Sequence, residues 1–197
     1  MITSFEQFHK SRWQLSRDKY PRRAGVLVPL CDVKGVPSIL FTRRTQTVST
    51  HKGQVAFPGG HRDDTDHDIV ATSLREMREE IGWEENGVQV FGIFHDTPSI
   101  TQVAVTPVIG YLGEVGNCER FVPSPAEIDL IFTVPMDSLK DSTRWSIDHL
   151  ARGVVPRFKS EGNPDIWGLT GYLTYRIVDE MFGGIHPEID VPWKAKL

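Results

Sequence analysis

Three glutamates lie close together in the segment "LREMREEIGW", at positions 76, 79 and 80. On a helix, like charges at this spacing repel each other by roughly 0.2–0.5 kcal/mol per pair. A bound divalent cation would turn that repulsion into attraction, and Mg²⁺ prefers such oxygen ligands, with waters and substrate phosphates completing its shell. The alternative is a solvated helix face rich in Glu and Arg, and the segment taken alone favours it.

The pattern around the glutamates predicts an amphipathic helix that starts at Ile69 and ends before Gly82. Apolar residues recur there at steps of four, three and four, at Val70, Leu74, Met77 and Ile81. Asp68 occupies the N-cap position, and Gly82 stands where a helix commonly stops. At 100° per residue, the three glutamates fall on the side opposite this apolar stripe. We therefore expect their carboxylates to face away from the core and to converge above the helix.

The rest of the sequence predicts the strands and the second helix that surround this helix. Two β-rich runs, Ala24–Cys31 and Ser38–Arg44, flank turn residues and read as a hairpin, and "GQVAFPGG" reads as a short strand that ends in a turn. Three more strands are expected in "GVQVFGIF", "TQVAVTPVIGYL" and "IDLIFTVPM", and a last helix over Ile166–Gly183. Because few parallel βαβ units are present, we expect an α/β (α+β) fold in which a mixed β-sheet is sandwiched between helices.

Length and composition limit the function classes. The 197 residues fit a single domain over 1–197, with an N-terminal helix over 1–22 and a C-terminal tail over 184–197. A net charge of −4 gives no electrostatic reason to expect nucleic acid or an anionic membrane as partner. The two cysteines form no CxxC pair, which argues against a disulfide framework or a zinc site. No apolar run approaches the ~18–20 residues that span a bilayer.

The acidic segment resembles the Nudix box, G-x5-E-x7-R-E-U-x-E-E-x-G-U, where U is a bulky apolar residue. The second half matches at Arg75, Glu76, Met77, Glu79, Glu80, Gly82 and Trp83. The first half departs, because Gly60 precedes Arg75 by 15 positions where the pattern has 14, and the upstream glutamate is missing. Asp66 and Asp68 are its nearest substitutes, which leaves open the acid that supports the site.

The segment before the box is similar to the one that marks the coenzyme A pyrophosphatase branch of the Nudix hydrolases. That branch reads L-x-T-x-R and then H-x-G-x-V-x-F-P-G-G-x-x-D. The matching residues are Leu40, Thr42, Arg44, His51, Gly53, Val55, Phe57, Pro58, Gly59, Gly60 and Asp63. The branch usually carries an arginine shortly before the histidine, and this chain has Ser49 and Thr50 there.

The resemblance implies a metal-dependent enzyme that hydrolyses a nucleoside diphosphate derivative. We expect coenzyme A or acyl-CoA to be split into 3′,5′-ADP and 4′-phosphopantetheine or its acyl form. Two alternatives stay open: hydrolysis of another derivative such as ADP-ribose, and a non-catalytic Nudix module that binds a nucleotide. The intact glutamates argue against the second of these, because degenerate Nudix domains tend to lose them.

By position, the resemblance assigns Glu76 and Glu80 as the principal ligands of Mg²⁺ or Mn²⁺. Glu79 would join directly or through water, and the carbonyl of Gly60 would add a further ligand. Glu76 would also orient or deprotonate the attacking water. Arg75 would position the helix by pairing with an acid such as Glu79, one turn on.

Substrate phosphates would be held by Arg44 and Lys52, which both lie upstream of the Gly-Gly turn. Glu127 is a candidate distal acid, although a solvent-facing glutamate at a strand start is the favoured interpretation. The expected partner is a small-molecule substrate, without nucleic acid or membrane, and a homodimer is left open. A cytoplasmic location is expected; in a eukaryote, the ending Ala195-Lys196-Leu197 resembles the peroxisomal Ser-Lys-Leu signal and offers an alternative.

Overall fold

The computed structural model of this protein describes residues 14–48, 51–150 and 153–183. The chain falls into two units, the first reaching Thr133 and the second beginning at Val134. The expected single domain over the whole chain stays a prediction.

A mixed β-sheet forms the first unit. Its strands are β1 (Arg22–Val33), β2 (Val36–Arg44), β3 (Val55–Ala56), β4 (Gly59–His61), β5 (Gln89–Ile93), β6 (Thr97–Pro98), β7 (Val103–Glu114) and β8 (Ile128–Pro135). Six of these strands lie where the sequence predicts them, whereas the short strands β4 and β6 were not predicted. The order is β3-β2-β1-β7-β5, with β4 beside β1, β6 beside β7 and β8 beside β2. The β1–β2 hairpin is antiparallel, whereas β1 and β7 run parallel. The mixed sheet, together with three helices, confirms the predicted α+β class.

The predicted helix is α1, Ile69–Ile81. The Asp68 side chain accepts a hydrogen bond from the Ala71 amide at 2.9 Å, which satisfies one of the free N–H groups of the first turn. Gly82 ends the helix in the left-handed conformation at φ 69°, where glycine avoids steric strain. Met77 and Ile81 are fully buried in a core that β1, β2 and β7 also line. Both helix ends therefore lie where the capping residues predict.

The N-terminal helix expected over 1–22 is not found in the part that the structure describes. Residues 1–13 lie outside the described residues. From Gln14 onward the chain contains a turn at Arg17–Lys19, and Arg22 already begins β1. The prediction is wrong for 14–22 because Arg22 and Arg23 hydrogen-bond in register with β7, which extends the strand. The tail over 184–197 also lies outside the described residues.

The second unit contains α2 (Met136–Lys140), an antiparallel hairpin of β9 (Trp145–Leu150) and β10 (Gly153–Phe158), and α3 (Gly168–Phe182). Helix α3 confirms the last predicted helix, whereas the sequence reasoning missed α2 and the hairpin. Among the described residues, no helix is both long and apolar enough to cross a membrane.

Candidate active site

The Gly-Gly turn brings backbone directly against the acidic helix. Strand β4 pairs with β1, which places Gly60 opposite Gly25. A Cβ added to Gly60 would lie 2.4 Å from the Glu76 Oε1 atom, and a Cβ added to Gly59 would lie 2.4 Å from the Gly25 carbonyl oxygen. Neither position has room for a side chain. The two glycines therefore allow the close approach of the turn to the carboxylates.

Glu80 is buried, with 2% of its surface exposed. Its Oε1 atom accepts a hydrogen bond from Arg44 Nη1 at 3.2 Å, and its Oε2 atom accepts one from the Gly59 amide at 3.2 Å. Burial is the main cause that raises the pKa of Glu80 to about 8; Arg44 and the Gly59 amide oppose this rise, and the charges of Glu76 and Glu127 add to it. A carboxylate in this position favours a cation beside it.

The burial of Glu80 corrects the expectation that all three glutamates face away from the core. The buried face of α1 is wider than the apolar stripe, because Thr72, Ser73 and Glu80 are buried as well. This added face lies against the Gly-Gly turn and Arg44 rather than against solvent. Only Glu79, whose side chain is 53% exposed, lies on the outer side as expected.

Arg75 connects the other carboxylates. Its Nε and Nη2 atoms donate to both oxygens of Asp66 at 2.9 and 3.0 Å, and its Nη1 atom donates to Glu76 at 2.9 Å and to Glu79 at 3.2 Å. Nη2 also donates to the His61 carbonyl oxygen at 3.1 Å, which ties the helix to the end of β4. The expected pairing with Glu79 is present, as one contact in a larger network.

The structure distinguishes the two upstream acids. Asp66 is buried and, besides Arg75, accepts hydrogen bonds from Thr72 Oγ1 and the Asp63 amide, both at 2.9 Å. The hydrogen bonds from Arg75 are the largest cause that holds the pKa of Asp66 well below its usual range. Asp68, in contrast, caps the helix. Asp66, six residues after Gly60, is therefore the acid that supports the site through Arg75.

Glu76 lies between the two groups, with 17% of its side chain exposed. Burial is the main cause that raises its pKa; the charges of Glu79 and Glu127 add to this, and the hydrogen bond from Arg75 opposes it. Glu127 is partly buried, and its charge also raises the pKa of Glu80. The role of Glu127 as a distal acid stays a prediction.

These residues fit a divalent cation by chemistry. Glu76 and Glu80 are shielded from solvent, and the charge of Glu127 acts on both. Only backbone fits at position 60, because a side chain there would collide with the Glu76 carboxylate. Within 14–48, 51–150 and 153–183, no three acidic, histidine or cysteine side chains are already grouped as a metal site. Glu79 in particular hydrogen-bonds Arg75. The fit therefore rests on Glu76, Glu80 and the Gly60 backbone.

The two expected phosphate-binding residues have different surroundings. Arg44 contacts Glu80, so it belongs to the carboxylate cluster. Lys52 is exposed in the turn before β3 and makes no hydrogen bond or ion pair with any residue that the structure describes. Of the two residues, only Arg44 contacts the acidic helix, and the assignment of both to substrate phosphates stays a prediction.

Comparison with known proteins places this site in a family. The NUDIX domain model matches residues 21–158. The mitochondrial coenzyme A diphosphatase NUDT8 of Homo sapiens is 36% identical over 160 residues, which cover 78% of this chain and 67% of that protein. The uncharacterized Nudix hydrolase NudL of Pectobacterium atrosepticum is 40% identical over 159 residues, covering 79% of this chain and 81% of that protein.

A solved structure also matches the fold. The MutT protein from Methanosarcina mazei Go1 superposes with a TM-score of 0.51 at 15% identity, covering 81% of this chain and 93% of that chain. At this identity the match supports the fold alone.

Proposed function

The chain belongs to the Nudix family of hydrolases, and from that premise we propose that it hydrolyses the diphosphate of coenzyme A or acyl-CoA. The products would be 3′,5′-ADP and 4′-phosphopantetheine or its acyl form. The observation that carries the hydrolytic part is the pair of shielded carboxylates, Glu76 and Glu80, against the Gly-Gly turn. The substrate is supported by the similarity to a protein named as a coenzyme A diphosphatase.

Nudix hydrolases generally need divalent metal ions. We assign Glu76, Glu80 and the Gly60 carbonyl to hold Mg²⁺ or Mn²⁺, with Glu79 contributing directly or through water. When bound, such an ion neutralises charge on the diphosphate and makes its phosphorus atoms more electrophilic. Arg44 fixes one oxygen of Glu80, and Arg75 fixes one oxygen of Glu76.

Glu76 is the proposed base. A water attacks one phosphorus in line, the bond from that phosphorus to the bridging oxygen breaks, and the proton of the water passes to the carboxylate. The raised pKa of Glu76 suits a group that must accept a proton near neutral pH. Arg75 has a positioning role, because it donates a hydrogen bond to the Glu76 carboxylate and is itself held in place by Asp66.

Incubation with Mg²⁺ and a panel of coenzyme A, acetyl-CoA, 3′-dephospho-CoA and ADP-ribose tests the substrate, with products identified by mass. We expect coenzyme A to have the highest kcat/KM and to yield 3′,5′-ADP. A higher kcat/KM for ADP-ribose would reject the coenzyme A assignment and support the alternative of another nucleoside diphosphate. Binding without turnover of any of these compounds would support the non-catalytic alternative.

We propose a cytoplasmic location, with a peroxisomal one as the alternative in a eukaryotic cell. The signal-like residues Ala195, Lys196 and Leu197 lie outside the described residues. A fluorescent protein that carries these three residues and stays diffuse in such a cell would reject the peroxisomal alternative. The proposed partner is a small molecule, and light scattering of the purified chain would test for a homodimer.

A further inference from the structure

A basic cavity of about 460 Å³ lies in the first unit, next to the end of β4. Its lining includes Arg17, Arg22, Arg62 and His61. The volume is within the roughly 300–1,000 Å³ typical of small-molecule sites. The chain as a whole carries a net charge of −4, so a cavity lined by several arginines is a local exception.

Three of these arginines keep their charge available. The Arg22 guanidinium donates to the Thr101 carbonyl oxygen, and Arg62 Nη2 donates to the carbonyl oxygens of Asp66 and His67 at 3.0 and 3.3 Å. Carbonyl oxygens hold a guanidinium in place without neutralising it. Arg17 is exposed and forms no ion pair with a residue in the described ranges.

A fourth arginine of the lining shows the contrast. Arg23 pairs with Asp96 at 2.6 Å, and the Asp96 side chain is fully buried. Thr106 Oγ1 also donates to Asp96, at 2.8 Å. Arg23 is therefore structural, whereas Arg17, Arg22 and Arg62 are free to bind a ligand.

Two acids share the lining, Asp63 and Asp64. Asp63 is occupied locally, because its Oδ1 atom accepts hydrogen bonds from the amide and the hydroxyl of Thr65, both at 3.0 Å. Three arginines without an ion pair to any described residue outnumber these two aspartates, so the cavity favours an anion. Guanidinium groups bind phosphate oxygens in paired hydrogen bonds, which makes a phosphate monoester a suitable ligand.

The cavity adjoins the catalytic turn. His61 lines the cavity and directly follows Gly60, and the Arg62 amide continues the pairing by donating to the Arg23 carbonyl oxygen at 2.9 Å. A strand advances about 3.3 Å per residue. Arg62 therefore lies two residues, or about 7 Å of strand, from Gly60. The cavity that Arg62 lines is adjacent to the position expected for a substrate diphosphate.

We propose that this cavity binds the 3′-phosphate of the adenosine part of coenzyme A, with Arg17, Arg22 and Arg62 as the residues that determine this specificity. The assignment rests on the proposed function. It moves the recognition of this phosphate away from Arg44, which contacts Glu80, and from Lys52.

Steady-state kinetics of Arg17→Ala and of Arg17→Ala/Arg62→Ala, with coenzyme A and 3′-dephospho-CoA as substrates, test the proposal. The wild type should prefer coenzyme A, and each variant should lose about tenfold or more in kcat/KM for coenzyme A while the value for 3′-dephospho-CoA stays unchanged. Arg43→Ala is the matched control, because Arg43 pairs with Asp129 at an exposed site, at 2.7 Å. An equal loss for both substrates, or no loss for either, would overturn the assignment.

Calorimetry tests the phosphate site independently of hydrolysis. The affinities of 3′,5′-ADP and 5′-AMP are measured without metal, so no turnover is needed. The wild type should bind 3′,5′-ADP more tightly, Arg17→Ala should abolish that preference, and Asp64→Asn should increase it. If coenzyme A is not hydrolysed but the preference is present, the proposed function fails and the phosphate site stands. Equal affinity for both nucleotides in the wild type would reject the phosphate site.

Discussion

Helix α1 contributes to two charged clusters that differ in how their charges are balanced. In the Arg75 cluster, one guanidinium contacts three carboxylates, those of Asp66, Glu76 and Glu79. In the Glu80 cluster, a buried carboxylate has one arginine, Arg44, at 3.2 Å and one backbone amide as partners. The first cluster fixes the position of the helix, and the second places a carboxyl group out of water, where a bound cation would favour its ionised form.

The pKa directions express the same contrast. Hydrogen bonds from Arg75 keep Asp66 well below its ordinary pKa, whereas burial raises the pKa of Glu80 to about 8. A buried carboxylate with incomplete compensation costs free energy, and a cation would recover it. We infer that the two clusters have different roles: the Arg75 cluster positions Glu76, and the Glu80 cluster supplies a carboxylate that binds the ion.

The largest expected effect comes from Glu80→Gln. We expect kcat to fall by roughly two to four orders of magnitude, the scale seen when one essential electrostatic group is removed. The fold should survive, as measured by urea unfolding in the absence of metal. Glutamine has nearly the same shape, and its carbonyl can still accept the Gly59 amide, although its NH2 group cannot replace the oxygen that accepts from Arg44.

Glu79→Gln is the matched control on the same helix. Its side chain is 53% exposed and pairs with Arg75, so we expect a loss in kcat of about tenfold at most, on the scale of a group that supports the metal site indirectly. Equal losses in the two variants would show that the two clusters do not differ in function. Retained turnover in Glu80→Gln would remove Glu80 from the metal site.

Arg75→Lys tests the positioning cluster and should have the second largest effect. A lysine ammonium keeps the charge but loses the planar fork that contacts both oxygens of Asp66. We expect kcat to fall by about 10- to 100-fold, as for residues that orient metal ligands. The free energy of unfolding should fall by about 1–3 kcal/mol.

The control is Arg43→Lys, whose ion pair with Asp129 is partly exposed. Its free energy of unfolding should change by less than about 1 kcal/mol. If Arg75→Lys loses activity without losing stability, the effect lies in catalysis alone, and the proposed structural role of the cluster is wrong.

Asp66→Asn should change the pH dependence of stability. Because the folded pKa of Asp66 lies below its ordinary value of 3.8, its ionised form stabilises the fold above that pH, and the contribution disappears as pH falls through 3.8 toward the folded pKa. We expect the variant to be less stable by about 1–3 kcal/mol at pH 7. Urea titrations in EDTA between pH 3 and 7 should show the difference shrinking at low pH. A difference that is constant with pH would contradict this role.

Local features of the sequence could predict α1 and its caps. The apolar periodicity, Asp68 and Gly82 all act within a few residues, so the boundaries follow from the helix alone. The burial of Glu80 could not be predicted in this way. It depends on Gly60 pairing with Gly25 and on Arg44 reaching the helix, and these contacts join distant parts of the chain.

Two other features lacked a local signal. The β9–β10 hairpin was not predicted, because its strands show no strong alternation of apolar and polar residues and β10 also contains Pro156. The basic cavity brings Arg17 and Arg62 together from separate segments, one before β1 and one after β4. Their approach becomes visible only when the antiparallel pairing of β1 and β4 is known.

Asp68→Ala should have the smallest effect and separates the two upstream acids. The side chain of Asp68 accepts from the Ala71 amide at the start of α1, and loss of such a cap costs about 1 kcal/mol. The free energy of unfolding should fall by that amount, whereas kcat should stay within about twofold of wild type, since the cap touches neither cluster. Asp68→Ser, which can still cap, should restore most of the stability. A loss of activity in Asp68→Ala as large as in Asp66→Asn would mean that the acids share one role and that support of the site is not specific to Asp66.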